Sequence, residues 1–254
     1  MDNVKNQKIM FEPNKNPLCS YFGKCGGCTA QHLEYSQQLD NKRKWLAQAT
    51  NFPEMEINVF SGKEYFYRNR LDFKVRKGKI GLRSKDHPNE LVDVEKCVIA
   101  VEEINVLLAE VRSFFLKERL SGEYSGCFKE IIIRATTFGD NSISFVLNSD
   151  FSKLREAQEK IRDFSGITTA KNVGITYNSM EEDTSGKEDE EVSEDSSSKD
   201  SFVVKGTDRI CEKLLEKDFY FPVQGFFQNN TFVAEKMQDY VKKMLKKYPT
   251  QKAT

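Results

Sequence analysis

The order in which two apolar spacings alternate along the chain limits its possible folds most strongly. Residues 71–75 alternate apolar and charged side chains, which is typical of a half-buried strand, and Lys77-Gly78 predicts a tight turn. Residues 101–116 then carry apolar side chains at helical spacing. A second predicted hairpin over 131–147 and a second predicted helix over 151–164 repeat this order.

The repeated hairpin–helix order predicts an α+β fold, because hairpins place neighbouring strands antiparallel and helices then cover the sheet. We expect a mainly antiparallel sheet with flanking helices and a cysteine-rich loop near the N-terminus. The other predicted elements are helices over 31–49 and 231–247 and strands over 57–60, 172–177, 202–204 and 219–221.

Charge is distributed unevenly along a chain whose formal net charge is zero. Residues 181–200 hold ten acidic residues and two lysines, and the remainder holds 37 basic and 29 acidic residues. A segment this polar buries too little surface to offset its chain entropy. The sequence therefore predicts a disordered acidic insert over 179–200 within a moderately basic folded part.

The apolar content argues against a membrane protein. Hydrophobic residues make up 38% of the 254 residues, and no stretch reaches the ~20 apolar residues of a membrane span. Residues 1–10 lack the apolar run of a signal peptide. We expect a cytoplasmic protein with no membrane partner, in which the six cysteines are reduced.

Cys19, Cys25 and Cys28 form a C-x5-C-x2-C loop that is rich in glycine, and Cys97 lies far downstream before a predicted helix. Four thiolates can hold either a tetrahedral zinc ion or a cubane iron–sulfur cluster. Spacing alone leaves these two alternatives open. Cys127 and Cys211 stand apart from the loop and are predicted to be small core residues.

Four segments together resemble the 4Fe-4S RNA uracil-5 methyltransferases, which modify ribosomal or transfer RNA. Residues 19–32 read CSYFGKCGGCTAQH, and residues 67–70 read Tyr-Arg-Asn-Arg, as in the family. Cys97 falls where the fourth cluster ligand is expected, and residues 225–230 are similar to a Ser-Phe-Phe-Gln-x-Asn segment. The resemblance implies a 4Fe-4S cluster on Cys19, Cys25, Cys28 and Cys97.

Residues 63–85 carry nine basic and two acidic residues with interleaved aromatics, which favours phosphate contact over an ordinary solvated strand face. The resemblance implies RNA binding here and contact of Gln228 with the methyl donor. It also places an aromatic side chain near a flipped uridine. The predicted RNA-binding residues are Arg68, Arg70, Lys74, Arg76 and Phe226.

The resemblance also implies three parts. Residues 1–60 form a lead-in, cluster loop and helix, and residues 61–228 form a central RNA-binding α+β domain that contains the acidic insert. Residues 229–254 form a helix leading to an S-adenosylmethionine-binding domain that we expect to be absent.

The family mechanism needs a cysteine nucleophile in an Asp-Pro-Pro-Arg-x-Gly context, and this sequence has no such run. We therefore expect the RNA-binding, iron–sulfur portion of a methyltransferase acting on rRNA or tRNA, inactive alone. It would bind S-adenosylmethionine through the missing domain, which a second chain could supply. The alternative is a non-catalytic iron–sulfur or zinc RNA-binding protein.

Overall fold

The structure is a computed structural model that describes residues 12–117, 124, 126–178 and 201–248. The helices are α1 (Tyr35–Thr50), α2 (Glu102–Lys117), α3 (Leu154–Ile167) and α4 (Thr231–Lys247). The strands are β1 (Arg70–Arg76), β2 (Lys79–Arg83), β3 (Leu91–Asp93), β4 (Phe128–Ala135), β5 (Asn141–Asn148), β6 (Asn172–Asn178), β7 (Ser201–Lys205), β8 (Arg209–Leu214) and β9 (Lys217–Pro222). The acidic insert predicted over 179–200 lies outside the described residues.

Seven strands form one sheet in the order β3-β2-β1-β4-β5-β6-β7, and β8 and β9 form a separate hairpin. Neighbouring strands of the sheet pair antiparallel except β5 and β6, which pair parallel over their whole length. The parallel pair arises because α3 crosses over the sheet between these strands. The α+β class is confirmed, and the expected mainly antiparallel sheet is corrected to a mixed one.

One face of the sheet carries the core, where α2 and α3 pack against alternate residues of the strands. Phe114 of α2 lies 4.8 Å from Phe164 of α3, and Phe115 lies 4.7 Å from Phe128, measured between ring centroids. Full burial of one such side chain contributes roughly 1.5–3 kcal/mol. The opposite face carries the polar residues of β1 and β4, because successive strand residues point to opposite sides.

Most predicted elements are confirmed within a few residues of their predicted bounds. The strand predicted over 57–60 is wrong, since that segment is unpaired and follows a single 3₁₀ turn at Glu54–Glu56. Two strands escaped prediction. β3 has three residues, too few to show a period, and β8 is a buried strand with charged residues in its sequence.

Among the described residues, no helix has both the length and the apolar character that crossing a membrane requires.

The division of the chain into three parts at residues 60 and 228 stays a prediction.

Gly81 tests the packing of β3 against β2. A Cβ atom added at Gly81 would lie 1.8 Å from the carbonyl oxygen of Val92 and 2.8 Å from its carbonyl carbon. Because backbone must shift to accept it, Gly81→Ala should lower the free energy of unfolding by about 1–3 kcal/mol in urea titrations. Gly166→Ala is the control: its Cβ meets nothing within 4 Å and lies in α3, so stability should hold or rise. Equal stability of the two variants would contradict the close approach of these strands.

Candidate functional site

The four cysteines that the sequence singled out lie around one cavity of about 260 Å³. Cys19, Cys25 and Cys28 come from the N-terminal loop, and Cys97 comes from the segment between β3 and α2. The fold thus brings Cys97 to the same cavity as three cysteines that precede it by 69 to 78 residues, and Arg68 lines this cavity as well. The cavity wall is otherwise largely apolar, and the four thiols are its shared chemical feature.

The cysteine loop is wound by short backbone turns and docked on β2. Cys25 N donates to Tyr21 O at 2.9 Å, and Gly23 adopts a φ of +85°, which favours glycine. Gly26 N donates to Arg83 O at 2.9 Å, and a Cβ on Gly26 would lie only 3.2 Å from that oxygen. The glycines therefore allow the loop to turn tightly and lie against the strand end.

Cys97 is fixed from the helical side. Its N–H donates to Asn105 Oδ1 at 2.9 Å, and Asn105 Nδ2 donates to Cys97 O at 3.2 Å. Asn105 lies in the first turn of α2 and is buried. The Asn105 side chain thus bonds both the N–H and the carbonyl of Cys97. These two bonds fix the backbone position of Cys97 and hold its thiol at the cavity.

Burial dominates the electrostatics of the thiols. It raises the pKa of Cys25, Cys28 and Cys97, and the neighbouring thiols raise these pKa values further. At Cys28 the side-chain hydrogen bond of Gln31 and, to a smaller extent, the positive charge of Arg68 lower the pKa and oppose this effect. A set of buried thiols is stabilised as thiolates when a metal centre supplies compensating positive charge.

Thiols are the donor type that zinc and iron–sulfur centres use. Gln31 also lines the cavity, and its buried side-chain amide interacts with the thiol of Cys28. Within the described ranges, no three His, Cys, Asp or Glu side chains converge on a point suited to one metal ion. The four thiols are instead spread around a cavity.

A second group of predicted residues lies in the loop between β9 and α4, which the start of β1 holds in place. Asn69 N donates to Asn229 O at 3.0 Å, and Asn69 Nδ2 donates to Gln228 O at 3.0 Å and to Thr231 Oγ1 at 2.9 Å. Thr231 Oγ1 in turn donates to the fully buried Glu212 at 2.8 Å. The backbone of Gln228 is thereby fixed, while its side chain is exposed.

The same loop presents an aromatic side chain to solvent. Phe226 is 81% exposed, whereas Phe227 stacks on Phe221 with a centroid distance of 4.4 Å and an angle of 7° between rings. Large exposed aromatic side chains are suited to stacking on unpaired bases. Phe226 and Gln228 are therefore both exposed residues of this loop.

The basic residues predicted to bind RNA do not form one cluster. Arg68 lines the thiol cavity and donates through Nε to Arg70 O at 2.9 Å. Arg70 is ion-paired with Asp72 at 2.7 Å. Lys74 and Arg76 lie further along β1 at a polar groove of about 630 Å³, where Lys74 pairs with Glu130.

That groove gathers more positive charge than the predicted pair alone. Its lining includes the basic side chains of Lys74, Arg76, Arg83 and Lys129, with Glu130 as the one acidic residue among the groove-lining residues described. Arg76 is oriented by a bond from Nη1 to Asn89 O at 2.8 Å. The contribution of β4 to this surface was missed, because Lys129 lies outside the basic stretch of residues 63–85.

Cys127 and Cys211, predicted to be core residues, are both buried. Burial raises the pKa of Cys127 to about 12, so its thiol stays protonated at neutral pH. Neither thiol lines the cavity of the other four.

Three polar residues of these sites were not identified from the sequence: Asn105, Glu212 and Arg134. Each is buried and acts on the backbone of a distant segment, so only the folded chain identifies it. A polar residue inside an apolar run, as Arg134 is, was the one available sign.

Comparisons with known proteins point to RNA methyltransferases, although the chain matches no protein-family model. It is 23% identical over 234 residues to an uncharacterized RNA methyltransferase of Nanoarchaeum equitans, covering 91% of this chain and 49% of that protein. It is 27% identical over 223 residues to the tRNA (uracil(54)-C(5))-methyltransferase of Pyrococcus abyssi, covering 86% and 49%.

The fold agrees with these similarities. The crystal structure of Pyrococcus abyssi tRNA (uracil-54, C5)-methyltransferase in complex with S-adenosyl-L-homocysteine superposes with a TM-score of 0.63 at 23% identity. The match covers 85% of this chain and 50% of that one. The chain thus spans about half the length of the curated relatives and of the solved structure that it matches.

These matches correct two expectations about activity. We expected an RNA-binding portion that is inactive alone and an enzyme whose catalytic domain is missing. Both are overturned by the match of 86% of the chain to a tRNA methyltransferase and of 85% to the methyltransferase complex. The non-catalytic RNA-binding alternative falls with them, and no finding supports a second chain that supplies the methyl-donor domain.

The role of Asn69 in fixing the Gln228 loop can be tested by stability. Asn69→Ala removes the two hydrogen bonds that the Asn69 side chain donates to Gln228 O and Thr231 Oγ1 and leaves these acceptors without that donor, so it should lower the free energy of unfolding by about 1–3 kcal/mol. Asn89→Ala is the control, because the Asn89 side chain is exposed and only its carbonyl is used. Equal effects in chemical denaturation would show that the Asn69 network does not hold the loop.

Proposed function

We propose that the protein is an S-adenosylmethionine-dependent RNA methyltransferase that acts on carbon 5 of uracil in transfer or ribosomal RNA. The observation that carries this proposal is a sequence match to a tRNA (uracil(54)-C(5))-methyltransferase that extends over 86% of the chain at 27% identity. The fold that the chain shares with the solved Pyrococcus abyssi tRNA (uracil-54, C5)-methyltransferase agrees with it. We place the protein in the cytoplasm, where its RNA substrate is found.

Cys19, Cys25, Cys28 and Cys97 are the proposed ligands of a 4Fe-4S cluster. The support is their position around one cavity and the pKa of Cys25, Cys28 and Cys97, which burial raises and a bound metal would offset. A cluster held this way ties the N-terminal loop to the segment before α2. Its role in this protein is to fix these segments, since methyl transfer to uracil requires no electron.

The RNA-facing surface is proposed to run along the polar side of β1. Arg70, Lys74 and Arg76 supply positive charge for phosphates, and the groove beside Lys74 and Arg76 gathers further basic side chains. Arg68 stays a proposed RNA contact through its link to Arg70, although its side chain also faces the thiols.

The loop before α4 is proposed to meet the reacting base and the methyl donor. Phe226 is exposed and follows a chain held by the stacking of its neighbour Phe227 on Phe221, which suits it to stack on a base. An enzyme reaches the target carbon only when the uridine leaves its stack in the RNA. The exposed side-chain amide of Gln228 is the proposed contact for S-adenosylmethionine.

Methyl transfer is the direct test of this function. The purified chain, incubated with methyl-labelled S-adenosylmethionine and transfer or ribosomal RNA, should produce 5-methyluridine in nucleoside analysis by mass spectrometry. Gln228→Ala should raise KM for S-adenosylmethionine about tenfold, the effect of one lost hydrogen bond to a charged ligand. Gln224→Ala, a matched change four residues earlier in the same loop, should keep the parent KM. Label in another nucleoside, or none, would refute the proposal.

Metal analysis tests the cluster. Anaerobically purified protein should contain about four irons and show a broad absorbance band near ~400 nm. Cys28→Ser should lose the iron and the band, whereas Cys127→Ser, which changes a buried thiol outside the cavity, should retain both. One zinc per chain, or equal iron loss in both variants, would overturn the ligand assignment.

A further inference from the structure

A buried arginine lies beneath the loop that carries Phe226 and Gln228. Arg134 is 3% exposed, and its side chain points away from the apolar core, on the same side of the sheet as its β1 partner Arg70. Its Nη2 donates to the carbonyl oxygen of Gly225. Its guanidinium carbon lies 5.5 Å from the ring centroid of Phe221.

These two contacts fix both ends of the turn beneath Phe226. Gly225 N donates to Pro222 O at 2.9 Å, so the chain reverses directly over Arg134. Phe227 stacks on the same Phe221 ring that Arg134 faces. With one ring of the Phe226-Phe227 pair held inward, the other must project outward, and Phe226 is accordingly 81% exposed.

The position of Arg134 is costly, which argues for a specific role. Its Nε is buried without a partner, and in the described part of the chain it forms no ion pair. Burial and the neighbouring Arg70 lower the pKa of Arg134 to about 10, yet it remains charged at neutral pH. Asp72, the nearby carboxylate, is bound at two points by Arg70. A buried cation without a carboxylate partner destabilises the fold. Its presence here therefore argues that its contacts serve a purpose other than stability.

We propose that Arg134 is a positioning residue that holds the 225–228 loop so that Phe226 forms a rigid stacking platform for an unpaired base of the RNA. Arg134 acts through Phe226 and does not touch the RNA itself, because its side chain is buried. A ring that is fixed before binding loses little entropy when a base stacks on it. This inference rests on the proposed function, since it takes RNA as the ligand.

The experiment has two parts, the first without RNA. In a Trp45→Phe background, which removes the one natural tryptophan, Phe226→Trp places an indole on the loop. Adding Arg134→Met should lower the fluorescence anisotropy of that indole, because the loop loses its anchor. Arg134→Lys keeps one donor for the Gly225 carbonyl and should restore most of the anisotropy. Arg209→Met is the control, an exposed arginine that also donates to a carbonyl, that of Tyr220.

The second part measures affinity for a uridine-containing single-stranded oligonucleotide in a double-mutant cycle. Phe226→Ala and Arg134→Met should each weaken binding by about 5- to 100-fold, the range for one lost base–aromatic stack. The double variant should bind no more weakly than Phe226→Ala alone, because Arg134 acts only through that ring. Arg134→Lys should bind close to the parent protein. A general structural role would instead give additive losses.

The outcomes separate this inference from the proposed function. If the parent binds the oligonucleotide but the two losses add, or Arg134→Met changes neither anisotropy nor affinity, the positioning role is overturned and RNA binding stands. An unchanged affinity in Phe226→Ala also overturns it. If the parent protein does not bind RNA, the proposed function fails, and the stacking role of Phe226 fails with it.

Discussion

The hydrogen bonds of Asn69 are the constraint on which both sites depend. Asn69 holds the segment before α4 through the carbonyls of Gln228 and Asn229 and through Thr231. The preceding residue, Arg68, lines the thiol cavity. Two consecutive residues immediately before β1 therefore join the cysteine loop to the aromatic loop. A shift of β1 would move both sites together, which couples the proposed cluster to the proposed RNA contacts through one strand.

The two faces of the sheet differ in chemistry: one is apolar and stabilises the fold, and the other carries charged side chains. One face is covered by α2 and α3, and its aromatic and aliphatic side chains provide the apolar burial that stabilises the fold. The other face carries Arg70, Lys74 and Arg134, whose charges are partnered locally or buried under the β8–β9 hairpin and its loop. The part of this face that stays open is the groove at Lys74 and Arg76, which is the part proposed to meet RNA phosphates.

Much of this architecture could be predicted from spacing. Alternation over residues 71–75 and helical spacing over 101–116 identified β1 and α2, because each side-chain period is a direct consequence of backbone geometry. The parallel pairing of β5 with β6 was not predictable in the same way. It depends on where α3 returns the chain to the sheet, and local spacing carries no information about that path. β3 was missed because three residues cannot display a period.

The sequence by itself determined which residues are proposed to bind metal and RNA: the C-x5-C-x2-C loop with Cys97, the basic stretch, and the Phe226–Gln228 segment. Only the tertiary structure decided how they are arranged. It placed the four thiols around one cavity, turned Arg68 toward them, and set the buried Arg134 beneath Phe226. The physical reason is that residue type fixes chemistry, whereas distance and burial depend on contacts between segments far apart in the chain, such as Asn69 and Gln228.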